Sequence, residues 1–513
     1  MNRLTFICAG TSDPQLLTVR AINALKSADR IVADPNTSAL LHGIVEADTD
    51  IAVVDGTLAQ RKKAITSAVK QSAHTVRLIA GDPILDGVLA LELQALAGTA
   101  YIDVVPGIAI ASASAAFSGL SLIAGKAREV RVLDANDTHI DWEQCIDPRT
   151  TLVITHGADN ATVIFKKLIA AGADEETPFR IVRAIGSIDQ RSVHGKLGRA
   201  AAAVGAARHS GDGVIIVGEA AAASIDWFEN KALFGWRVLL PRTKDALDFL
   251  DHELNAHGAE TTQVATLSVE PPRTPQQMEK AIAGLAGGRF GWVVFTCANS
   301  FNAVWDKTRE YGLDARAFAG IHLAAVGEDT VEAMQSRGLA PDLATGNTTS
   351  ALLDVFPDPV LGEENVNRVL IPRADIATET LTSGLLELGW EVEEVTAFRT
   401  VRSAPPEQYI RDAIKSGGYD AVVFTSSATV RNLIGIAGKP HQQSLIACIG
   451  PKTAKAAEEH GLRVDVIADE PTHASLVEAL VAHAFTLQAE AEAAGHGVWR
   501  PSKVRAAARR KAK

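Results

Sequence analysis

Cysteine is scarce in this sequence. Cys8, Cys145, Cys297 and Cys448 are the only four in 513 residues, and no two form a CxxC pair. No His/Cys cluster has zinc spacing either, so no metal is expected, and the four read as reduced, mostly buried thiols. No apolar run approaches the roughly 18 residues of a membrane span. The opening MNRLTFICAG has too short an apolar stretch for an export signal, and polar residues follow at once. The expected location is the cytoplasm, with no membrane partner. A surplus of basic residues is also missing. The net charge is −11, which argues against a general nucleic-acid binder, because such a protein needs basic surface to displace counterions. Aromatics make up 5% of the chain against 47% hydrophobic residues, so Ala, Val, Leu and Ile must build the cores.

What is present is alternation. Short Val/Ile-rich runs, such as Arg30–Ala33, Thr75–Ile79, Tyr101–Val105, Thr151–Thr155, Arg180–Arg183 and Gly213–Val217, alternate with longer Ala/Leu-rich amphipathic stretches. Strands alternating with helices imply parallel or mixed sheets covered by helices, an α/β class, and the length predicts two to four domains. A boundary is expected near 220–235, where AAAASIDWFENKALFGW precedes a fresh strand at Arg237–Leu240. Its aromatics, Trp227, Phe228, Phe234 and Trp236, predict a packed connector and not a flexible linker. Residues 487–513 turn basic, with seven Lys or Arg between Arg500 and Lys513. They read as a solvated, disordered tail.

Residues 236–485 contain an internal repeat. Arg237-Val-Leu-Leu-Pro-Arg242 returns as Arg368-Val-Leu-Ile-Pro-Arg373, and each copy leads to a glycine, Gly258 or Gly389, before a second strand. Trp292-Val-Val-Phe-Thr-Cys-Ala-Asn-Ser300 matches Ala421-Val-Val-Phe-Thr-Ser-Ser-Ala-Thr429. Leu323-Ala-Ala-Val-Gly-Glu-Asp-Thr330 matches Ile446-Ala-Cys-Ile-Gly-Pro-Lys-Thr453, and Asn347-Thr-Thr-Ser matches Pro471-Thr-His-Ala. The order is kept, at offsets between 123 and 134 residues. Two similar α/β lobes follow. Ligands of open α/β sheets bind beyond the carboxyl ends of the strands. Here those ends carry Thr296, Ser300, Thr330, Thr348, Thr425, Ser426, Ser427, Thr453 and Thr472. Helix starts with unpaired N–H groups suit carboxylates or phosphates. Each hydroxyl alone is equally well an ordinary N-cap; their recurrence at every repeated strand end favours a site.

Val-Phe-Thr-Ser-Ser, Ile-Gly-Pro-Lys-Thr-Ala and Arg-Val-Leu-Ile-Pro-Arg, with Gly-Trp-Glu-Val-Glu-Glu-Val downstream, resemble uroporphyrinogen-III synthase. The resemblance covers residues 236–486. It implies two doubly wound, flavodoxin-like lobes, one of about 236–268 plus 400–485 and the other of about 270–398, joined by a two-stranded connection. It also implies the reaction: hydroxymethylbilane loses water, its last pyrrole ring is inverted and the macrocycle closes, with no cofactor. No nucleophile–base pair or phosphate loop is evident, which suits a substrate that reacts once its hydroxyl leaves and needs mainly to be held and shielded. The residues expected to contact substrate are Lys452, Thr453, Ser426, Ser427, Thr296 and Ser300, with Arg242 and Arg373 as carboxylate partners or loop supports. The family often has a tyrosine where this chain has Phe398, which cannot donate a proton, so no catalytic residue is assigned.

Residues 1–220 resemble the uroporphyrinogen-III C-methyltransferase family, a two-subdomain tetrapyrrole-methylase fold. The carrying segments are Cys8-Ala-Gly-Thr-Ser-Asp-Pro14, Val76-Arg-Leu-Ile-Ala-Gly-Asp-Pro83, Val104-Val-Pro-Gly-Ile108 and Gln190-Arg-Ser-Val-His-Gly195. The resemblance implies an S-adenosylmethionine site at Gly10, Asp13, Gly81, Asp82, Pro106, Gly107 and His156, with Asp13 as a proton acceptor. Several family positions are changed: Ser12 replaces a loop glycine whose small size admits close backbone approach, Val88 an arginine and His156 a methionine. The domain is therefore expected to be degenerate, with a bifunctional synthase–methyltransferase as the alternative. A non-catalytic two-lobed binding protein is the reading from another class. Hydroxymethylbilane is the expected small-molecule partner; contact with other enzymes of the same pathway stays open.

Overall fold

The computed structural model describes residues 2–495 apart from 12, 42–43, 47, 208–210, 212, 223–224, 244–248, 347, 361–366 and 376–378. The chain divides into two compact units. Among the described residues the first is Met1–Trp236 with Leu254–Glu260 and 484–495; the second is Arg237–Glu253 with Thr261–His483. The aromatic connector therefore belongs to the first unit. The last helix, His473–Ala493, extends past residue 487, where the sequence predicts a disordered tail. The expected basic residues from Arg500 on lie outside the described residues.

The first unit holds two five-stranded sheets. One contains β1 (Arg3–Cys8), β2 (Arg30–Ala33), β3 (Asp50–Val53), β4 (His74–Ile79) and β5 (Tyr101–Val105) in the order β3-β2-β4-β1-β5, all parallel. The other contains β6 (Glu129–Asp134), β7 (Thr150–Thr155), β8 (Pro178–Arg183), β9 (Arg191–Lys196) and β10 (Gly213–Val217) in the order β6-β7-β10-β8-β9. In this sheet β6 and β7 are parallel and the other pairs antiparallel. Every residue of β7 and of β10 is buried. Continuous apolar runs, without alternation, are what strands covered on both faces require.

One charged cluster lies inside this apolar frame. Arg77 on β4 and Glu92 on the helix Val88–Leu96 are both about 1% exposed and pair at 3.0 Å. Arg77 also reaches Asp34 at 2.6 Å, and Arg61 reaches Glu92 at 2.7 Å. Burial works against the Arg77 charge, and Glu92 and Asp34 more than offset it. The second Asp34 oxygen accepts the Ala80 N–H at 2.9 Å, so the cluster fixes the loop that leaves β4.

The second unit contains β11 (Arg237–Thr243), β12 (Glu260–Glu270), β13 (Trp292–Phe295), β14 (His322–Val326), β15 (Leu343–Thr345), β16 (Arg368–Ala374), β17 (Glu391–Arg402), β18 (Ala421–Phe424), β19 (Leu445–Cys448) and β20 (Val466–Ile467). Their order is β15-β14-β13-β16-β17-β12-β11-β18-β19-β20. The two copies of the repeat are exchanged in this order. One lobe takes β11 and β12 from the first copy and β18, β19 and β20 from the second. The other takes β16 and β17 from the second copy and β13, β14 and β15 from the first. Counted along the repeat, each lobe has the strand order 2-1-3-4-5 of a doubly wound sheet.

The long strands β12 and β17 make this possible. Residues 391–398 of β17 run parallel to β16. Its last four residues turn to pair antiparallel with β12, from Leu267 opposite Arg402 to Glu270 opposite Arg399. Gly258 and Gly389, the repeated glycines before these strands, have φ of +93° and +95°. Each ends its helix in a left-handed turn, and the following N–H returns to the helix: Ala259 to the Leu254 carbonyl, Trp390 to the Leu385 carbonyl.

The Arg77 cluster yields a stability expectation. Glu92→Gln leaves a buried guanidinium short of its charge partner and should destabilise the first unit by about 3 kcal/mol. Urea unfolding followed by hydrogen exchange of β4 checks this. A midpoint equal to that of the unchanged chain would show the cluster to be energetically neutral.

Candidate functional site

In the second unit, both sets of candidate residues lie at the carboxyl ends of neighbouring strands. The order β11-β18-β19 aligns Arg242, Ser426/Ser427 and Lys452/Thr453. The adjacency of β16 and β13 aligns Arg373 with Thr296 and Ser300. The antiparallel pairing joins the carboxyl-terminal ends of β12 and β17. It therefore aims the carboxyl edges of both lobes toward the same ribbon.

The hydroxyls divide into two groups. Ser300 is fully buried and donates to the Cys297 carbonyl at 2.7 Å. Ser426 caps the helix Ser427–Ala437 in a capping box with Thr429. Ser427 donates to the Lys452 carbonyl at 3.0 Å, tying two helix starts together. These three hydroxyls act as internal ties. Thr348 and Thr472 also serve as caps, accepting from Ala351 and Ser475. The Thr330 hydroxyl is turned inward to the Val326 carbonyl. Among the described residues, the side chains of Thr296, Lys452 and Thr453 have no hydrogen-bond partner. Lys452 is exposed and Thr453 lies at the first turn of the helix Pro451–Glu459, which no side chain caps. Arg373 pairs with Glu394 at 2.9 Å, while its Nη1 is buried and unpartnered.

Phe398 is 5% exposed and packs in the apolar core with Val395 and Ala397. It lies opposite Ala374 where the β16–β17 register shifts. A phenyl ring in that position contributes packing, not polar chemistry.

The first unit has a cavity of about 370 Å³ between its two sheets. The ends of β1 and β4 contribute Gly10, Thr11, Gly81 and Asp82. Asn36 and Thr37 come from the segment after β2, and Thr155, His156, Ala184 and Gly213 from the second sheet. Gly10 and Gly81 bridge each other, N–H to carbonyl at 2.9 Å, and both are left-handed. A Cβ on Gly81 would meet nothing within 4 Å, so any side chain there would project into open space at the cavity wall. Among the described residues the two non-glycines with positive φ, His156 at +54° and Ala184 at +47°, both line the cavity. Strain of this kind collects at functional sites. His156 Nδ1 lies 3.2 Å from Asp134.

Three expected members stand outside this wall. Gly107 is packed against the β1 end, where a Cβ would come within 2.2 Å of the Cys8 carbonyl. Pro106 is exposed beside it. Asp13 caps the turn Pro14–Leu16 by accepting the Gln15 N–H at 2.8 Å. Burial raises the Asp13 carboxyl above its usual range, against the pull of the Gln15 N–H and of Lys231. Sequence reasoning missed Asn36, Thr37, Ala184 and Gly213. The left-handed turn at Ala184 has no marker in its residue type. Among the described residues no group of three or more His, Cys, Asp or Glu could hold a metal, and no helix is long and apolar enough to cross a membrane.

Comparison with known proteins adds the following. Residues 248–478 match the family described as uroporphyrinogen-III synthase HemD, and residues 3–201 the tetrapyrrole (corrin/porphyrin) methylases. The chain is 25% identical over 500 residues to the porphyrin biosynthesis protein HemD of Ruminiclostridium josui, covering 93% of this chain and 97% of that one. It is 31% identical over 245 residues to siroheme synthase 2 of Cronobacter sakazakii, covering 45% of this chain and 53% of that one. The chain thus spans about half the length of that relative. Uroporphyrin-III C-methyl transferase from Thermus thermophilus, solved with S-adenyl homocysteine, is 26% identical, with 43% of this chain and 98% of that one covered and a TM-score of 0.37.

Two glycine variants should behave oppositely. Gly107→Ala must push the β1 and β5 ends apart and should lower the stability of the first unit by about 2 kcal/mol or more. Gly81→Ala should cost only about 1 kcal/mol for its positive φ while narrowing the cavity. Thermal unfolding of both checks this, and equal losses would contradict the geometry.

Proposed function

This chain joins a uroporphyrinogen-III synthase domain to a tetrapyrrole methylase domain, and from that premise we propose that it is a cyclase. It closes hydroxymethylbilane to uroporphyrinogen III with loss of water and inversion of the last pyrrole ring. The observation that carries the reading is the exchanged repeat, which directs two polar strand edges toward one ribbon and so suits a large polyanionic substrate. Its place is the cytoplasm, in the synthesis of porphyrins and related tetrapyrroles.

In this reading the protein supplies grip and shielding. The Lys452 ammonium takes a substrate carboxylate. The Thr453 hydroxyl and the Lys452 N–H at its helix start take a second acceptor, and Arg242 takes a further carboxylate at the β11 end. Thr296 and the unused Arg373 Nη1 act from the other lobe. Ser426 and Ser427 hold the two helix starts in register. Closing the lobes over the substrate removes water from the cation that forms when the hydroxyl leaves, so that it reacts within the ring. The departing hydroxyl takes its proton from a hydroxyl or from water, because Phe398 has none to give.

The cavity of the first unit supports a second reading, a bifunctional enzyme. It is within the size range of small-ligand pockets, and the left-handed Gly81 leaves open the side-chain space that a bound nucleoside requires, while Gly10 allows the Ile108 backbone to approach. S-adenosylmethionine would be held by Gly10, Gly81, Asp82 and His156, and would supply an electrophilic methyl group. Asp13, raised by burial, would receive on its carboxylate the proton that the tetrapyrrole loses from a position other than the methylated ring carbon, which carries no hydrogen. The changed family positions favour a domain that binds without turnover.

Enzymatically generated hydroxymethylbilane tests the first reading. The chain should yield the type III isomer, and the type I isomer alone would overturn it. Lys452→Met should raise KM about tenfold with kcat nearly unchanged, as loss of a charged contact predicts. Ser300→Ala should leave both constants alone and cost about 1 kcal/mol of stability. Calorimetry with S-adenosylhomocysteine tests the cavity: heat at one site supports nucleoside binding, and mass gained by the tetrapyrrole with S-adenosylmethionine supports methylation.

A further inference from the structure

The connector after the methylase domain is clamped to its own unit by side chains. The buried Arg180 pairs with Asp226 at 2.7 Å, and the fully buried Gln190 donates to Glu229 at 3.2 Å. The Trp227 indole N–H donates to the Ala116 carbonyl at 2.7 Å. Phe117 stacks on Trp227 at 5.9 Å and meets Phe228 edge-on at 4.7 Å. Gly119 is left-handed and lies where the Ile225 carbonyl leaves no room for a Cβ.

This clamp fixes Lys231. Its Nζ lies over the Trp227 ring at 5.0 Å and the Phe228 ring at 5.4 Å. A Cβ on Gly258 would come within 2.9 Å of the Lys231 Cβ, so the lysine stem is held by a close backbone approach. Among the described residues the Lys231 side chain makes no hydrogen bond or ion pair. Three charged N–H donors are therefore held in place by aromatic faces alone. Burial lowers the ammonium below its ordinary range, opposed by Asp13. Asp13 in turn follows the cavity-lining Gly10 and Thr11. Lys231 lies outside both matched stretches, 3–201 and 248–478.

We propose that Lys231 and the Trp227/Phe228 rings form a carboxylate-recognition subsite that the connector adds to the N-terminal domain, for a carboxylate arm of an aromatic or conjugated polyacid of the tetrapyrrole class. The ammonium takes the carboxylate, and the exposed part of the Trp227 indole, backed by the buried Phe228 ring, gives the flat part of the ligand an apolar edge. The subsite rests on the reading that the N-terminal domain takes an acidic tetrapyrrole.

Lysine acetylation of the full chain, with and without uroporphyrin III, tests it. The porphyrin should slow acetylation of Lys231 by at least about fivefold, as a charged contact of this kind requires. It should also protect the peptide 8–16 from hydrogen exchange. Lys231→Met should abolish that protection at the same porphyrin concentration, Lys231→Arg should keep it, and both variants should cyclise hydroxymethylbilane normally. If peptide 8–16 is protected while Lys231 acetylates equally with and without porphyrin, the subsite is wrong and the domain reading stands. If neither responds to porphyrin, the subsite and the domain reading fall together.

Discussion

Four residue pairs hold the second unit in its form. Between Leu267–Glu270 and Arg399–Arg402 the long strands β12 and β17 run antiparallel, and Arg399 forms an ion pair with Glu270 across them. Each such cross-strand pair is worth a fraction of a kcal/mol, too little to order two lobes alone. The ribbon instead fixes direction. Because the carboxyl-terminal ends of both strands meet antiparallel, both lobes turn their ligand-binding edges toward the shared ribbon. The exchange of strands then makes neither lobe complete without both copies of the repeat.

The first unit is built on a different constraint. Its loops must approach closely at the ends of β1, β4 and β5, and glycine is the only residue that fits at Gly107 and the easiest at Gly10. Arg77, Glu92 and Asp34 hold the β4 end from within. The glycines bring backbone to the cavity wall, and the side chains that line it are mixed, with Leu40, Ile110, Ile185 and Val214 beside Asn36, Asp82, Asp86 and His156.

Much of this was legible in the sequence, for physical reasons. The runs at Arg30–Ala33, Tyr101–Val105 and Gly213–Val217 are strands with those bounds; Gly213–Val217 stands out because a strand buried at every residue is uniformly apolar. The repeat marked equivalent strands and its left-handed glycines. It could not show which copies share a lobe, since that depends on where β12 and β17 bend. The hydroxyls at strand ends were visible too. Whether one caps its own helix or waits for a ligand is decided by a single rotamer: Ser300 turns inward and Thr453 does not bond. Ala184 and the connector lysine gave no local signal, the first because alanine is silent about φ, the second because its neighbours Gly258 and Asp13 are distant in sequence.

The exchange of strands is the central claim, and refolding of a divided chain tests it most directly. A protease site placed between Pro357 and Arg368 separates the first copy, with β11 to β15, from the second, with β16 to β20. The two pieces would be parted in urea, then diluted alone or together, and followed by amide hydrogen exchange. The account predicts that β13, β14, β18 and β19 are protected only in the mixture, because each lobe needs strands from both pieces. Protection of these strands in either piece alone would contradict it.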